Sequence, residues 1–294
     1  MHMTIQKIIS ELLERKVIPA KPSGYEKLSG GTVSELYLLN IEGTKYVLKL
    51  NDPEVTKSEA LFLEAYKEIK LTPVLLFVDP AYTYIVYSFI EGSTSYKGAD
   101  KKEILKTLVE GLINHYQYAP PESGWGWADA PADSWQDFLS DEINEAQKWT
   151  GSRMDEADHQ LVAELVGKVG NYDESHFLLH GDCGFHNFIF NEQHLAGVID
   201  PAPVIGDPVY DLVYAFCSSA DDLSQKTFDQ AISFMKVGQE KACSVLYEKL
   251  LIGLYLRIAS CSKHHPEDLP RYLEAWSRWL EIMDTANSSG RHFL

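Results

Sequence analysis

The chain has 294 residues, of which 45% are hydrophobic and 23% are charged, so it is long enough for two lobes with a shared core and is not a disordered protein. Its formal net charge of −17 argues against binding to nucleic acid or to anionic membranes, and favours a cationic partner. The sequence has no membrane-spanning apolar run, no secretory signal and no Cys-x-x-Cys pair among its four cysteines, which indicates a cytoplasmic protein.

The sequence pattern of the first third of the chain predicts an N-terminal helix, several strands and a second helix between the strands. Apolar residues at helical spacing predict a helix from Thr4 to Arg15, with Thr4 as its candidate N-cap. A second helix is predicted from about Thr56 to Ile69. A segment at Tyr25–Leu28 precedes four predicted strands, at Leu36–Ile41, Lys45–Leu50, Val74–Val78 and Tyr82–Tyr87.

The remaining two thirds read as mainly helical. Helices are predicted at 101–117, 134–149, 155–169, 208–218, 224–237, 239–261 and 269–285, and Ser134 is the expected cap of the second. Within this region, Phe177–Leu179 is a short buried strand, and Phe188–Phe190 and Leu195–Ile199 are the arms of a hairpin that turns at 191–194. These patterns predict an α+β fold with a strand-rich N-terminal part and a helical C-terminal part.

Three polar side chains gather at the open end of that hairpin. If Phe190 pairs with Leu195, Asn187 lies opposite Val198, which places Asp182, Asn187 and Asp200 close together. Mg²⁺ prefers hard oxygen ligands and is usually held by one or two protein groups plus phosphates, a role suited to Asn187 and Asp200. Asp182 is then placed to accept the proton of an acceptor hydroxyl. The stretch therefore predicts phosphoryl transfer. A zinc site of His180, Cys183 and His186 is disfavoured, because no second Cys or His pair completes it.

The whole motif resembles the aminoglycoside phosphotransferase family of small-molecule kinases. It comprises His180-Gly181-Asp182 with Asn187 five residues after the aspartate, Ile199-Asp200, Gly206-Asp207-Pro208 and Tyr210-Asp211-Leu212. The resemblance implies a protein-kinase-like bilobal fold, with a nucleotide-binding lobe at residues 1–91 and a helical lobe at residues 92–294. It also implies Asp182 as catalytic base, Asn187 and Asp200 as Mg²⁺ ligands, and Asp211 as a structural acid.

The same resemblance assigns nucleotide-binding roles in the N-terminal lobe. A loop containing Gly31 and Ser34 covers the triphosphate, and a hinge at Ser88 and Ile90 binds the nucleobase of ATP or GTP through its backbone. Lys49 binds the α- and β-phosphates and pairs with a glutamate of the next helix. Glu59 and Glu64 compete for this pairing. Glu59 is preferred, because it shares the apolar face of the helix while Glu64 points about 140° away from it.

The acceptor remains open at this level. The resemblance implies a small hydroxylated and cationic molecule such as an aminoglycoside, with choline, homoserine or an amino sugar as alternatives. A nucleotide-binding pseudokinase scaffold is a further alternative. After Asp200-Pro201-Ala202-Pro203, the motif Gly206-Asp207 follows within a few residues, which leaves no room for a long activation loop. This argues against a protein substrate. Candidate binders of acceptor amines are the loop acids Asp221, Asp222, Glu267 and Asp268. Core packing is the expected role of Trp135 and Trp149.

Overall fold

The computed structural model describes residues 4–28, 34–96, 99–169, 176–237 and 242–290. The N-terminal part is an antiparallel five-stranded sheet with strand order β1-β2-β3-β5-β4. The strands are β1 (Gly24–Lys27), β2 (Glu35–Ile41), β3 (Thr44–Leu50), β4 (Leu75–Val78) and β5 (Tyr84–Ser88). Helix α1 (Ile5–Glu14) precedes the sheet, and α2 (Pro53–Ala65) connects β3 to β4.

The two faces of this sheet have different partners, because successive side chains of a strand point to opposite sides. Leu48 and Val86 face α1 and form a small core with its Ile8 and Leu12. Val47 lies on the other face and belongs to the large core that continues into the helical part. Lys49, two residues after Val47, shares this inner face and is 3% exposed.

The C-terminal part is mostly helical, as predicted. Its described helices are α3 (Lys101–Gly111), α4 (Trp135–Thr150), α5 (Glu156–Val169), α6 (Val209–Cys217), α7 (Gln225–Ser233), α8 (Cys243–His264) and α9 (Leu269–Gly290). A small sheet has the order β6-β10-β7, formed by β6 (Gly126–Trp127), β7 (Phe177–Leu179) and β10 (Val204–Gly206). The predicted hairpin is β8 (Phe188–Asn191) paired with β9 (His194–Val198).

The start of α2 and the end of α3 are among the helix boundaries that differ from the prediction. Helix α2 begins three residues early, because Asp52 accepts a hydrogen bond from the Glu54 amide at 3.0 Å and Pro53 occupies the first turn. Helix α3 ends at Gly111 and continues only as a short 3₁₀ turn at Ile113–His115. Ser134 does cap α4, since its hydroxyl accepts from the Asp137 amide at 3.0 Å. Thr4 makes no such bond to α1.

The hairpin register differs by one residue from the prediction. Phe190 pairs with Leu195 as expected, but an irregularity after Ile189 brings Phe188, and not Asn187, opposite Val198. Asn187 therefore precedes the strand, and its carbonyl accepts a hydrogen bond from the Ile199 amide at 2.9 Å. The consequence is small, because Asn187 and Asp200 still lie at the same end of the hairpin.

The connection between the sheet and the helical part runs through residues 89–96. Ser93 forms a backbone bridge to Phe190 of β8, so the chain joins the helical lobe within five residues of the end of β5. The lobe boundary between residues 91 and 92 stays a prediction. Among the residues that the structure describes, no helix is long and apolar enough to cross a membrane.

Candidate active site

The catalytic loop at residues 180–187 is held against the loop that follows Asp200. Gly181 has φ +80°, and a Cβ atom there would lie 1.8 Å from the Ala202 carbonyl oxygen, so only glycine fits this position. The Ala202 amide in turn donates to the His180 carbonyl at 3.0 Å. The two loops thus form one rigid unit that carries both Asp182 and Asp200.

Asp211 of α6 holds the start of the catalytic loop in place through hydrogen bonds. Its carboxylate is fully buried and accepts hydrogen bonds from the backbone amides of His180 (2.8 Å) and Gly181 (3.0 Å) and from the Tyr116 hydroxyl (2.5 Å). Burial raises the pKa of Asp211 to about 6, while these three donors oppose the rise. The arrangement matches the structural role predicted for Asp211.

Asp182 has a strongly stabilised carboxylate. Asn187 Nδ2 donates to Asp182 Oδ2 at 2.9 Å, and His186 Nε2 lies 3.2 Å from the carboxylate. Burial by itself would raise the pKa of Asp182, but His186 and the nearby Tyr214 hydroxyl lower it to about 2. Asp182 is therefore an acceptor throughout the physiological pH range.

Asn187 and Asp200 offer oxygen atoms suited to Mg²⁺. Asn187 uses Nδ2 for Asp182, which leaves its amide oxygen without a donor among the described residues. Lys49 contacts Oδ1 of Asp200, and the Asp200 side chain remains 41% exposed. Hard oxygens with room for phosphate and water fit a magnesium ion. No cluster of three His, Cys, Asp or Glu residues poised for a metal occurs in the described ranges. His180 instead contacts the Ile199 carbonyl at 3.2 Å.

Lys49 connects the sheet to the catalytic unit. Its ammonium group lies 2.7 Å from Glu59 Oε2 and also contacts Asp200. Glu59 is 1% exposed on the inner side of α2, whereas Glu64 pairs with Lys67 at the surface. Burial raises the pKa of Glu59 to about 7, and the charge of Lys49 opposes that rise. The expected pairing of Lys49 with Glu59, and not with Glu64, is present.

The other residues predicted to bind nucleotide are placed as follows. Gly31 lies outside the described residues, and Ser34 is half-buried immediately before β2. The Ser88 amide already donates to the Val74 carbonyl at 2.9 Å, so it is not free for a nucleobase. Ile90 has no such backbone bond in the described chain, and its side chain covers Gly197 of β9. Of the two predicted hinge residues, Ile90 is therefore the one whose amide is available, and the nucleobase contact of both residues stays a prediction.

A cavity of about 260 Å³ adjoins the catalytic loop. Most of its wall is formed by side chains from one face of each of the helices α4, α6 and α8. They comprise Trp135, Leu139 and Glu142 of α4, Tyr210, Val213, Tyr214 and Cys217 of α6, and Lys249, Ile252, Gly253, Leu256, Arg257 and Ser260 of α8, together with Trp127, Asp207 and Ser218. Tyr214 is the link to Asp182, whose pKa it lowers. Ser218 is a second link, since its hydroxyl accepts from the Phe185 amide at 3.0 Å.

Sequence reasoning missed the charged residues of this cavity and pointed to other acids. Asp221 pairs with Arg271 at 2.6 Å, Asp222 accepts from two hydroxyl groups, and none of the four loop acids lines the cavity. Trp135 is buried as predicted, but Trp149 is 43% exposed under the ammonium group of Lys263, so its predicted core role is wrong. Lys249, Gly253 and Arg257 recur every four residues along one side of α8, among mostly apolar neighbours. That spacing was the available signal.

Comparison with known sequences gives a family match and two relatives. Residues 24–234 match the family model described as "Phosphotransferase enzyme family". Streptomycin 6-kinase of Streptomyces glaucescens is 25% identical over 261 residues, which cover 83% of this chain and 80% of that protein. Streptomycin 6-kinase of Streptomyces griseus is 25% identical over 185 residues, covering 60% of this chain and 55% of its own.

Comparison with solved structures confirms the fold. Aminoglycoside phosphotransferase APH(4)-Ia, in a ternary complex with ADP and hygromycin B, superposes with a TM-score of 0.62 at 16% identity and covers 93% of this chain and 98% of its own. Choline kinase LicA from Streptococcus pneumoniae gives a TM-score of 0.58 at 15% identity, covering 94% and 98%. The bilobal kinase-like fold predicted from the sequence is therefore correct.

Proposed function

Because the chain belongs to the phosphotransferase enzyme family, we propose that it is an ATP- or GTP-dependent kinase that phosphorylates an alcohol group of a small cationic acceptor, such as an aminoglycoside. One observation carries this proposal. Asp182, the predicted base, is in contact through Tyr214 with a cavity that can hold a small molecule. On the other side of the catalytic unit, Asp200 contacts Lys49, the predicted phosphate ligand.

In this proposal each residue has one role. Asp182 accepts the proton of the acceptor hydroxyl and orients its oxygen towards the γ-phosphate. Lys49, fixed by Glu59, binds the α- and β-phosphates, and Ile90 offers its backbone to the nucleobase. Ser34 and the loop with Gly31 lie over the triphosphate.

Asn187 and Asp200 would hold Mg²⁺ between the protein and the phosphates. When bound, the ion supplies positive charge that neutralises the transferred phosphoryl group. The side chains of both proposed ligands are held in place by neighbouring residues. Asn187 is oriented by its bonds to Asp182, and Asp200 by its contact with Lys49.

The cationic character of the acceptor is supported by Glu142. Its carboxylate lines the cavity, accepts a hydrogen bond from Trp127 Nε1 at 3.0 Å and forms no ion pair within the described chain. Burial raises the pKa of Glu142. A carboxylate beside an indole ring is a favourable site for an ammonium group. Because such a site also suits a quaternary ammonium alcohol, a choline-type acceptor is the second candidate.

The cellular setting is also part of the proposal. All four cysteines are free thiols, which fits a reducing cytoplasm. The net charge of −17 argues against nucleic acid and membrane partners.

The test is nucleotide turnover by the full chain with Mg·ATP and Mg·GTP against aminoglycosides, choline, homoserine and amino sugars. We expect acceptor-dependent release of ADP or GDP with one acceptor class, abolished by EDTA. Tight binding of Mg-nucleotide without turnover on any acceptor would instead support a pseudokinase scaffold.

A further inference from the structure

The wall of the cavity beside Asp182 contains two carboxylates, Glu142 and Asp207, and two cations, Lys249 and Arg257. Two of these four groups form an ion pair with each other. Lys249 contacts Asp207 directly, and both side chains are nearly buried. Asp207 also caps α6, because its Oδ1 accepts from the Val209 amide at 3.0 Å. This pair is therefore part of the wall, and Glu142 and Arg257 are the charged groups left to a ligand.

Arg257 has no carboxylate partner among the residues that the structure describes. Its Nε donates to the Tyr272 hydroxyl at 3.1 Å, and its guanidinium group lies 5.3 Å from the centre of the Tyr272 ring. These contacts use one of its five N–H donors and fix the plane of the group. Arg257 also lies near Tyr214, the residue that links the cavity to Asp182.

A partly buried cation without an anionic partner is costly, so its presence in a ligand cavity requires a compensating group. A planar guanidinium group with free N–H donors matches a carboxylate in a two-bond geometry. A polycationic acceptor would have to place a like charge beside Arg257, which disfavours binding.

We propose that the acceptor carries a carboxylate, bound by Arg257, in addition to the cationic group bound by Glu142. This inference rests on the proposed kinase function and changes its acceptor class, because a carboxylate is added to the cationic group. The acceptor is a zwitterionic alcohol and not a polycationic aminoglycoside. Its body is apolar, because aromatic and aliphatic side chains form most of the remaining wall, among them Trp127, Trp135 and Ile252.

The first experiment measures binding without turnover. The probes are 4-bromobenzoate and 4-bromobenzamide, which have nearly the same shape and differ in one negative charge. We expect wild-type protein to bind the benzoate roughly 10- to 100-fold more tightly than the amide, with its bromine located in the cavity by anomalous scattering. In Arg257→Gln the two probes should bind within about threefold of each other.

Two further variants separate recognition from a purely structural role. Arg278→Gln removes an exposed arginine of α9 that lies 4.0 Å from Glu274, and should keep the full preference for the benzoate. Arg257→Lys keeps the charge without the planar fork, so it should retain part of the preference. Equal affinity of wild-type protein for both probes would overturn the proposal. So would a preference that Arg257→Gln leaves unchanged while the variant remains folded.

The second experiment uses turnover with Mg·ATP. Hydroxylated amino acids and hydroxy acids are each compared with the corresponding amide. The KM of wild-type protein should be at least about tenfold lower for the acid, and Arg257→Gln should remove this difference between acid and amide. Benzoate selectivity without turnover on any acceptor would contradict the kinase and leave the carboxylate site in place. Turnover on amides and acids alike would contradict only the site.

Discussion

Asp182 owes its ionised state to specific neighbours and not to exposure to water. Asn187 and His186 both contact its carboxylate, and its pKa falls to about 2 although burial acts in the opposite direction. A carboxylate with a lowered pKa is a weak base. In the proposed phosphoryl transfer, Asp182 would therefore orient the acceptor hydroxyl and receive the proton late in the reaction, when the oxygen has become acidic.

The lowered pKa of Asp182 predicts a pH dependence of stability. Since the folded-state pKa lies below the ordinary value of 3.8, the stabilisation is complete above that pH and is lost as the pH falls towards 2. The difference in unfolding free energy between wild type and Asp182→Asn should be about 1 kcal/mol smaller at pH 3 than at pH 5. Urea denaturation of both proteins measures it. A constant difference down to pH 3 would mean that Asp182 has an ordinary pKa.

At the residue scale, the sequence predicted those positions whose chemistry is tied to a fixed local pattern. Asp182 and Asn187 are five residues apart on one loop, and Lys49 and Glu59 follow from the face they share with apolar neighbours. Glu142 and Arg257 lie on different helices and line the same cavity only through tertiary packing. Glu142 has no local signal, and Arg257 has only its four-residue spacing from Gly253 and Lys249.

Between elements, the buried pair of Lys49 on β3 and Glu59 on α2 should contribute to stability as well as to the proposed nucleotide binding. In Lys49→Met the carboxylate of Glu59 loses its partner inside the protein, so we expect the unfolding free energy to fall by about 3 kcal/mol or more. In the double variant Lys49→Met with Glu59→Leu, most of this loss should be recovered, because no buried charge remains. Chemical denaturation measures both. A double variant as unstable as the single one would show that the pair is not the cause.

Helix α6 supports the catalytic loop through one side chain. Asp211→Ala leaves the buried amides of His180 and Gly181 without acceptors, and should lower the unfolding free energy by about 3 kcal/mol. The matched control is Asp221→Ala, which breaks an exposed ion pair with Arg271 and should cost less than about 1 kcal/mol. Similar losses in the two variants would refute the supporting role of Asp211.

Element boundaries were predictable where side chains carry the signal and not where the backbone departs from regularity. Ser134 was recognised as the cap of α4, but Asp52-Pro53, an equally clear start signal for α2, was overlooked. The irregularity in the β8–β9 hairpin could not be predicted from the sequence. An extra residue in one strand changes the pairing of the two strands, but both strands would have the same apolar sequence without it.

At the scale of the whole molecule, the catalytic unit lies between the two lobes and receives side chains from both. Lys49 comes from the sheet, whereas Asp182 and Asp200 come from the helical lobe. A Mg-nucleotide bound between them should therefore stabilise the complete fold. At about 100 times its Kd the ligand contributes about 2.7 kcal/mol, which corresponds to a rise in Tm of roughly 5 °C for a chain of this size.

This stabilisation is measured by thermal unfolding with a non-hydrolysable ATP analogue. EDTA should remove most of the shift, and Lys49→Met should remove it as well. An equal shift with and without the metal would contradict the assignment of Asn187 and Asp200 as its ligands.

The α+β class was predictable from the order of strands and helices, and the resemblance carried by the motif around His180 and Asp182 implied the kinase-like architecture. The cavity was not. It forms where α4, α6 and α8 pack together, with Gly253 so close to α6 that a Cβ atom would lie 2.1 Å from Val213. The charge of −17 describes the surface, whereas this cavity holds as many cations as carboxylates. The net charge of the chain therefore does not predict the balance of charges inside this cavity.

In the proposed reaction, Asp182 acts as the base in phosphoryl transfer to an alcohol. The most direct test is acceptor-dependent nucleotide turnover by wild type and by Asp182→Asn, together with the Kd for Mg-nucleotide. We predict that kcat falls at least about 1,000-fold in the variant, beyond the usual effect of a general base because orientation is lost as well, while the Kd changes less than about threefold. Turnover in Asp182→Asn similar to that of wild type would contradict the account.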